Sequence, residues 1–396
     1  MNGLSVDRVK QCEMFSPLDL AFAEFLCSCE RSATSELFLA AALISYHVRS
    51  GSTCLDMHTP LDTIFTSEQR ETLGTIPEPS SILASLEKSE TTGSAGDFRP
   101  LILDNNRLYL HRYWRYEEQC RAILTQRCET RYSFDNETAL SNLFARVFPE
   151  KNENVDWQSV AAFSALSHSL CFITGGPGTG KTTTVAKIIA LMSTLPSPHP
   201  YRIALTAPSG KAAARLFQSV RSECSRIKIF NPATAVLPEH STTIHQLLGT
   251  IPGSTHFRHT QYTPLPYDCV IVDEGSMIDQ ALMTKLLEAV PLSSRLVILG
   301  DHDQLVSVEA GTVLSNICAP DALHRYSTPF RKSIRRITGQ RLPESGRNDQ
   351  VRALDDRIVF LQHSYRFAKK SGIGMMSRAI IDAAAEDAYR IATDDE

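Results

Sequence analysis

The stretch Cys171-Phe172-Ile173-Thr174-Gly175-Gly176-Pro177-Gly178-Thr179-Gly180-Lys181-Thr182 constrains everything around it, because a short apolar strand there runs into a complete G-x-x-x-x-G-K-T loop. Glycines let the backbone turn its N–H groups inward around a polyphosphate, Lys181 adds a point charge, and Thr182 offers a hydroxyl to Mg²⁺. A helix follows, with Val185, Ile188, Ile189 and Met192 at i, i+3, i+4, i+7, so its N-terminus points at the anion while one face packs on a sheet. The expected nucleotide-binding set is Gly175, Gly176, Pro177, Gly178, Thr179, Gly180, Lys181, Thr182 and Thr183.

Such a loop needs a parallel sheet behind it. Four apolar runs supply strands, Leu170 to Thr174, Arg202 to Thr206, Cys269 to Val272 and Arg295 to Leu299, each followed by a loop and a helical pattern. Near-continuous apolar strands alternating with helices predict an α/β fold whose parallel sheet is covered on both faces, with ligands at the carboxyl ends of the strands. The loops at those ends hold the phosphate loop, Ala207-Pro208-Ser209-Gly210-Lys211, Asp273-Glu274 and Gly300-Asp301-His302-Asp303-Gln304. Two carboxylates at a strand tip about 90 residues beyond Lys181 suit magnesium-assisted phosphoryl chemistry. Asp273 is expected to hold the Mg²⁺ with Thr182, and Glu274 to activate the attacking water, which favours hydrolysis over transfer to a substrate hydroxyl. Gln304 is placed to touch the γ-phosphate. Gln158 can pair an adenine edge, or the Asp156-Trp157-Gln158 segment can simply cap the helix Val160 to Leu166. Lys211 and Arg215, four apart at a helix start behind Ser209, and Thr243 with His245 in another loop, are candidate contacts for nucleic-acid phosphates.

The remainder of the chain is read around this domain. At 396 residues with 42% hydrophobic and 21% charged content, there is material for two or three domains. A net charge of −4 offers no global basic surface, so a nucleic-acid partner must meet a local groove. The longest apolar stretch, Leu37 to Ile44, is too short for a membrane span, and no signal segment follows Met1, so a cytoplasmic location without membrane contact is expected. Cys171 and Cys269 fall in expected buried strands, and His256 with His259 reads as a solvated loop rather than a metal site. Residues 1–130 are expected to form a mostly helical domain, with helices over Leu18 to Leu26 and Leu37 to Val48. Pro77 to Pro100 reads as an exposed connection, and Leu101 to Leu110 as a hairpin turning at Asp104-Asn105-Asn106-Arg107. The His111-to-Tyr116 segment mixes bases with aromatics; an amphipathic segment with its aromatics in the core is favoured over nucleotide stacking.

Trp157-Gln158, the phosphate loop, Thr206 to Ala213, Thr242 to Gly249, Val272-Asp273-Glu274, Leu299 to Gln304 with Ser307, Val308 and Gly311, and Ser364-Tyr365-Arg366-Phe367 together resemble the motifs of the RecD family, the alpha subunit of exodeoxyribonuclease V (RecBCD), a superfamily-one DNA helicase. Ser16 to Phe22 and Cys54-Leu55-Asp56 are similar to that family's partner-binding domain. The resemblance implies two RecA-like lobes, ATP and Mg²⁺ as cofactors, and 5′-to-3′ movement on single-stranded DNA. It further implies action at double-stranded DNA ends with the beta and gamma subunits (RecB, RecC), in double-strand break repair by recombination. Arg366 is then an arginine finger. The implied division is 1–130 for partner binding, 131–325 for the first lobe and 326–396 for a partial second lobe, since about twenty residues follow Gly374. On that expectation the isolated chain is a crippled motor. The alternative is a nucleotide-gated regulatory ATPase that does not translocate. Gly275 departs from the alanine usual in the family, an expected minor loss of stiffness.

Overall fold

The computed structural model describes residues 3–149, 154–301, 304, 307, 309–319, 324–343, 352–363, 375–376, 379–380 and 384–393. The chain divides into two compact units, Met1–Arg121 with Asp279–Thr284 and Ser307–Gly311, and Ala122–Ile278 with Lys285–Val306 and Thr312–Glu396.

The first unit runs through α1 (Val6–Gln11), α2 (Pro17–Ser28), α3 (Ser35–Arg49), β1 (Cys54–Asp56), α4 (Ser67–Leu73), α5 (Pro79–Lys88), β2 (Thr92–Ser94), β3 (Leu101–Asp104), β4 (Arg107–Leu110) and the start of α6 (His111–Glu129). Its core centres on α3, where the eight consecutive residues Leu37 to Ile44 are all buried, as befits a helix that is apolar all round. The Ser16-Pro17-Leu18-Asp19 start of α2 is a capping box: the Ser16 amide donates to Asp19 Oδ2 at 2.8 Å and the Asp19 amide to Ser16 Oγ at 3.3 Å. Asp19 is fully buried. Burial alone pushes its carboxyl up, but hydrogen bonds from Ser45, Ser16 and Arg49 outweigh this and hold it below the usual carboxylate range. The expected hairpin is present as the antiparallel β3–β4 pair within a four-stranded sheet ordered β1-β4-β3-β2. In α6, Tyr113 is buried and the Trp114 indole donates to Asp104 Oδ2 at 3.1 Å, which accords with the core reading of this aromatic run.

One expectation is corrected here. Pro77 to Pro100 is not an exposed connection: α5 buries Ile82 and Leu86 and β2 pairs with β3. Its polar residues form the outer face of a helix that needs only a narrow apolar stripe. The division into two units falls inside α6, at Arg121 and Ala122.

The second unit continues through α7 (Glu137–Val147), α8 (Trp157–Ser167), β5 (Leu170–Thr174), α9 (Lys181–Met192), β6 (Tyr201–Ala207), α10 (Gly210–Arg226), β7 (Ala235–Val236), β8 (Thr242–Thr243), α11 (Ile244–Leu248), β9 (Cys269–Val272), the part of α12 (Gln280–Ala289) from Lys285 onward, β10 (Arg295–Gly300), α13 (Val313–Ile317), α14 (Thr328–Thr338) and β11 (Ile358–Phe360). Seven strands form one sheet, ordered β11-β5-β10-β9-β6-β7 with β8 on β6, and every pairing is parallel. Cys171, Ile173, Cys269, Ile271, Val297 and Leu299 share one core with α8, α9 and α10. The alternate residues Leu170, Phe172, Val270, Val272, Leu296 and Ile298 are also fully buried, so both faces of the central strands are covered. Burial pushes the thiols of Cys171 and Cys269 up to about 12, which leaves them as small hydrophobes.

In β11, Ile358, Val359 and Phe360 pair with Phe172, Ile173 and Thr174, so this strand forms an edge of the sheet that carries the phosphate loop. Val359 and Leu361 join the same core. No helix among the described residues is long and apolar enough to cross a membrane.

Candidate active site

The tips of β5, β6, β9 and β10 bring the singled-out residues together. Gly178 (φ 77°) and Gly180 (φ 85°) take left-handed backbone where only glycine is inexpensive, and the second serves as N-cap of α9. The Lys181 ammonium folds over the loop, donating to Gly175 O at 2.5 Å and Gly176 O at 3.3 Å. Thr179 Oγ1 donates to Gly176 O at 2.8 Å, so the loop is braced by its own side chains. Gly175 packs on β11: a Cβ there would stand 2.8 Å from Leu361 O.

Asp273 follows β9 and its amide donates to Thr206 O at 2.9 Å, which ties this tip to that of β6. Glu274 holds left-handed backbone (φ 53°, ψ 42°), and its amide donates to Asp273 Oδ1 at 2.9 Å. A non-glycine residue there stores on the order of 1–3 kcal/mol of strain, which the surrounding packing must hold. Burial is the main force pushing the Asp273 carboxyl up, with the Glu274 amide, Lys181 and Arg215 opposing it. Burial and then the Asp273 charge push Glu274 up, again against Lys181 and Arg215. Gly275 is not a loss of stiffness. A Cβ at this position would come within 2.6 Å of Ile298 Cγ2 and 3.0 Å of Leu299 O, so with isoleucine on β10 the chain requires glycine.

A cleft of about 1850 Å³ is lined by Pro177 to Thr183, Asp273, Glu274 and Gln304, with Phe148, Gln158 and Lys187 also on its wall. Gln304 is exposed, its amide 3.3 Å from Asp301 O. The capping role falls to Asp156, whose Oδ1 accepts from the amides of Gln158 and Ser159. Gln158 is left buried with its side chain on the cleft. Ser209, Lys211 and Arg215 line this same cleft, so the residues expected to grip a nucleic-acid backbone lie within reach of the phosphate loop. Thr243 and His245 are not part of its wall: Thr243 caps α11 in a capping box with Gln246, and the His245 ring lies 5.8 Å from that of Phe257. Arg366, His302, Asp303 and Val308 lie outside the described residues. The expected set omitted Lys187 and Phe148; the signal for Lys187 was a single charge in the apolar run Val185-Ala186-Lys187-Ile188-Ile189.

The site's carboxylate pair, phosphate loop and buried amide suit a nucleotide. Residues 158–310 match the model of an AAA domain, and residues 11–109 match that of the N-terminal domain of RecBCD enzyme subunit RecD. RecBCD enzyme subunit RecD of Haemophilus influenzae is 29% identical over 97% of this chain and 63% of its own length. Its counterpart from Mycolicibacterium smegmatis is 38% identical over 77% of this chain and 53% of its own. The chain is thus similar to RecD subunits over most of its length. It spans between about half and two thirds of the length of these RecD relatives. A shorter match joins 42% of this chain to the ATP-dependent RecD2 DNA helicase of Deinococcus radiodurans, at 42% identity.

Proposed function

We propose that this chain is an ATP-driven motor subunit that moves 5′-to-3′ on single-stranded DNA within an exodeoxyribonuclease V-type complex acting at DNA ends in recombinational repair. The observation that carries the reading is the single cleft in which a complete phosphate loop, two strand-tip carboxylates and Gln304 meet. Thr182 and Asp273 are hard oxygen donors on that wall, and fit Mg²⁺, which when bound neutralises phosphate charge. Lys181 turns from the loop carbonyls to the β- and γ-phosphates. Glu274 orients and deprotonates the attacking water, and Gln304 contacts the γ-phosphate. By its motif, Arg366 is assigned as the arginine finger. The first lobe extends through β11 to about His363.

Hydrolysis by the chain assembled with its partners is expected to rise with single-stranded DNA, and a duplex with a 5′ tail to be unwound in preference to one with a 3′ tail. Strand displacement with both tails checks this. Hydrolysis indifferent to DNA would favour the regulatory ATPase instead.

Residues 1–121 are proposed to dock the beta and gamma subunits. On α2, Leu18 is 69% and Phe25 62% exposed, seven residues and two turns apart, while Asp19, Ala23 and Leu26 are buried on a different face. Two large apolar side chains on one solvated face suit a protein partner. The double change Leu18→Asp, Phe25→Asp is expected to abolish co-purification with both subunits and to leave ATP binding intact. Retained assembly would put the docking surface elsewhere.

A further inference from the structure

Lys187 stands one and a half turns beyond Lys181 on α9, half-buried between fully buried Ala186 and Ile188. Its ammonium lies 2.9 Å from Gln158 Oε1 and 4.5 Å from the centre of the Phe148 ring. On the other side, Gln158 Nε2 faces the carbonyl oxygen of Thr179 at 3.5 Å. All three of Phe148, Gln158 and Lys187 line the cleft.

The chemistry of these groups settles which end of the amide points where. An ammonium can only donate and a backbone carbonyl can only accept, so the oxygen of Gln158 must face Lys187 and its NH₂ must face Thr179. Turning the amide over would set NH₂ against ammonium and oxygen against carbonyl. Phe148 in turn restrains the ammonium, since its ring face attracts the cation and the ring is itself stacked on Phe144 at 5.7 Å. The amide therefore has one permitted orientation.

That orientation matters for base choice. Adenine presents a donor at its six position beside the N7 acceptor, whereas guanine presents a carbonyl there. An amide free to turn over can meet either purine, with oxygen toward the amino group of one or NH₂ toward the carbonyl of the other. An amide fixed at both ends can meet only one of them. We propose that Lys187 is a positioning residue that fixes the Gln158 amide and thereby makes the cleft select ATP over GTP. This rests on the reading of the cleft as the nucleotide site, and it adds the source of base selectivity.

The test is competition of ATP, GTP and inorganic tripolyphosphate against a fluorescent ADP on the full chain. In Lys187→Met, which keeps the aliphatic stem, the ATP-to-GTP preference is expected to fall by about tenfold, as when one buried hydrogen-bonding requirement is relaxed. Tripolyphosphate affinity should not change, and Lys187→Arg, still a pure donor, should restore the preference. Were the methionine variant not to fold, Lys187→Gln serves, because an amide partner permits both orientations of Gln158. A merely structural role would weaken all three ligands alike and leave the ratio fixed. An unchanged ratio in Lys187→Met, or a wild-type chain indifferent between ATP and GTP, overturns the proposal while tripolyphosphate binding still upholds the cleft as a phosphate site. No binding of any of the three by the wild type overturns both.

Discussion

Replacing Lys181 with alanine or glutamine is expected to abolish ATP hydrolysis while leaving the chain folded. The side chain is only half-buried, and its ammonium satisfies two loop carbonyls, Gly175 O and Gly176 O, that water can reach once it is gone. The fold therefore loses little. Catalysis loses the one cation within the loop that can meet the β- and γ-phosphates, and a preorganised charge of this kind is worth on the order of 3–4 kcal/mol in the transition state. Arg215 is the other cation acting on the carboxylate pair, but it stands on α10 and cannot replace a group rooted at the first residue of α9. Steady-state turnover together with a thermal melt checks the expectation. Turnover within a few-fold of wild type in a folded Lys181→Ala protein would remove this cleft from the mechanism.

What could be read beforehand followed from how locally each feature is encoded. The strands β5 and β9 coincide with the apolar runs Leu170 to Thr174 and Cys269 to Val272, because a parallel strand buried on both faces must be apolar at every position and is punctuated by its functional tip. The phosphate loop is similarly local, since glycine positions and a lysine specify it without any distant partner. By contrast, β11 is three residues long, and only its pairing with β5 makes it part of the first sheet. Nothing in Ile358-Val359-Phe360 names that partner. Helix α5 was hidden by composition, as serine and glutamate dominate its surface and of its residues only Ile82 and Leu86 are fully buried, with Leu83 packed beside them. The placement of Lys211 and Arg215 on the nucleotide cleft depends on where α10 lies against β6 and α9, which spacing along the chain does not convey. For Gly275 a comparison of residue types suggested lost stiffness. The geometry shows instead a glycine demanded by Ile298.

Changing Glu274 to glutamine is expected to separate binding from hydrolysis. The two carboxylates differ in their surroundings: Asp273 is more deeply buried, hydrogen-bonded by the Glu274 amide, and proposed with Thr182 to hold Mg²⁺, while Glu274 reaches the cleft from a strained left-handed turn. Its side-chain oxygens receive no hydrogen bond from any described residue, so glutamine of the same size enters without leaving a partner unsatisfied. The turn is held by packing around Gly275 and by the Met277 amide on Glu274 O at 3.0 Å, neither of which involves the side chain. ATP affinity should therefore stay near that of wild type. What disappears is the proton acceptor, whose basicity burial and the neighbouring Asp273 charge both raise. General-base catalysis contributes roughly 10²–10⁴-fold, so turnover should fall by about that factor. Nucleotide binding by fluorescence titration, set beside phosphate release from the same preparation, measures both quantities. If Glu274→Gln loses ATP binding and turnover together, the residue belongs to the binding of nucleotide or Mg²⁺, and the attacking water must find its base elsewhere on the cleft wall.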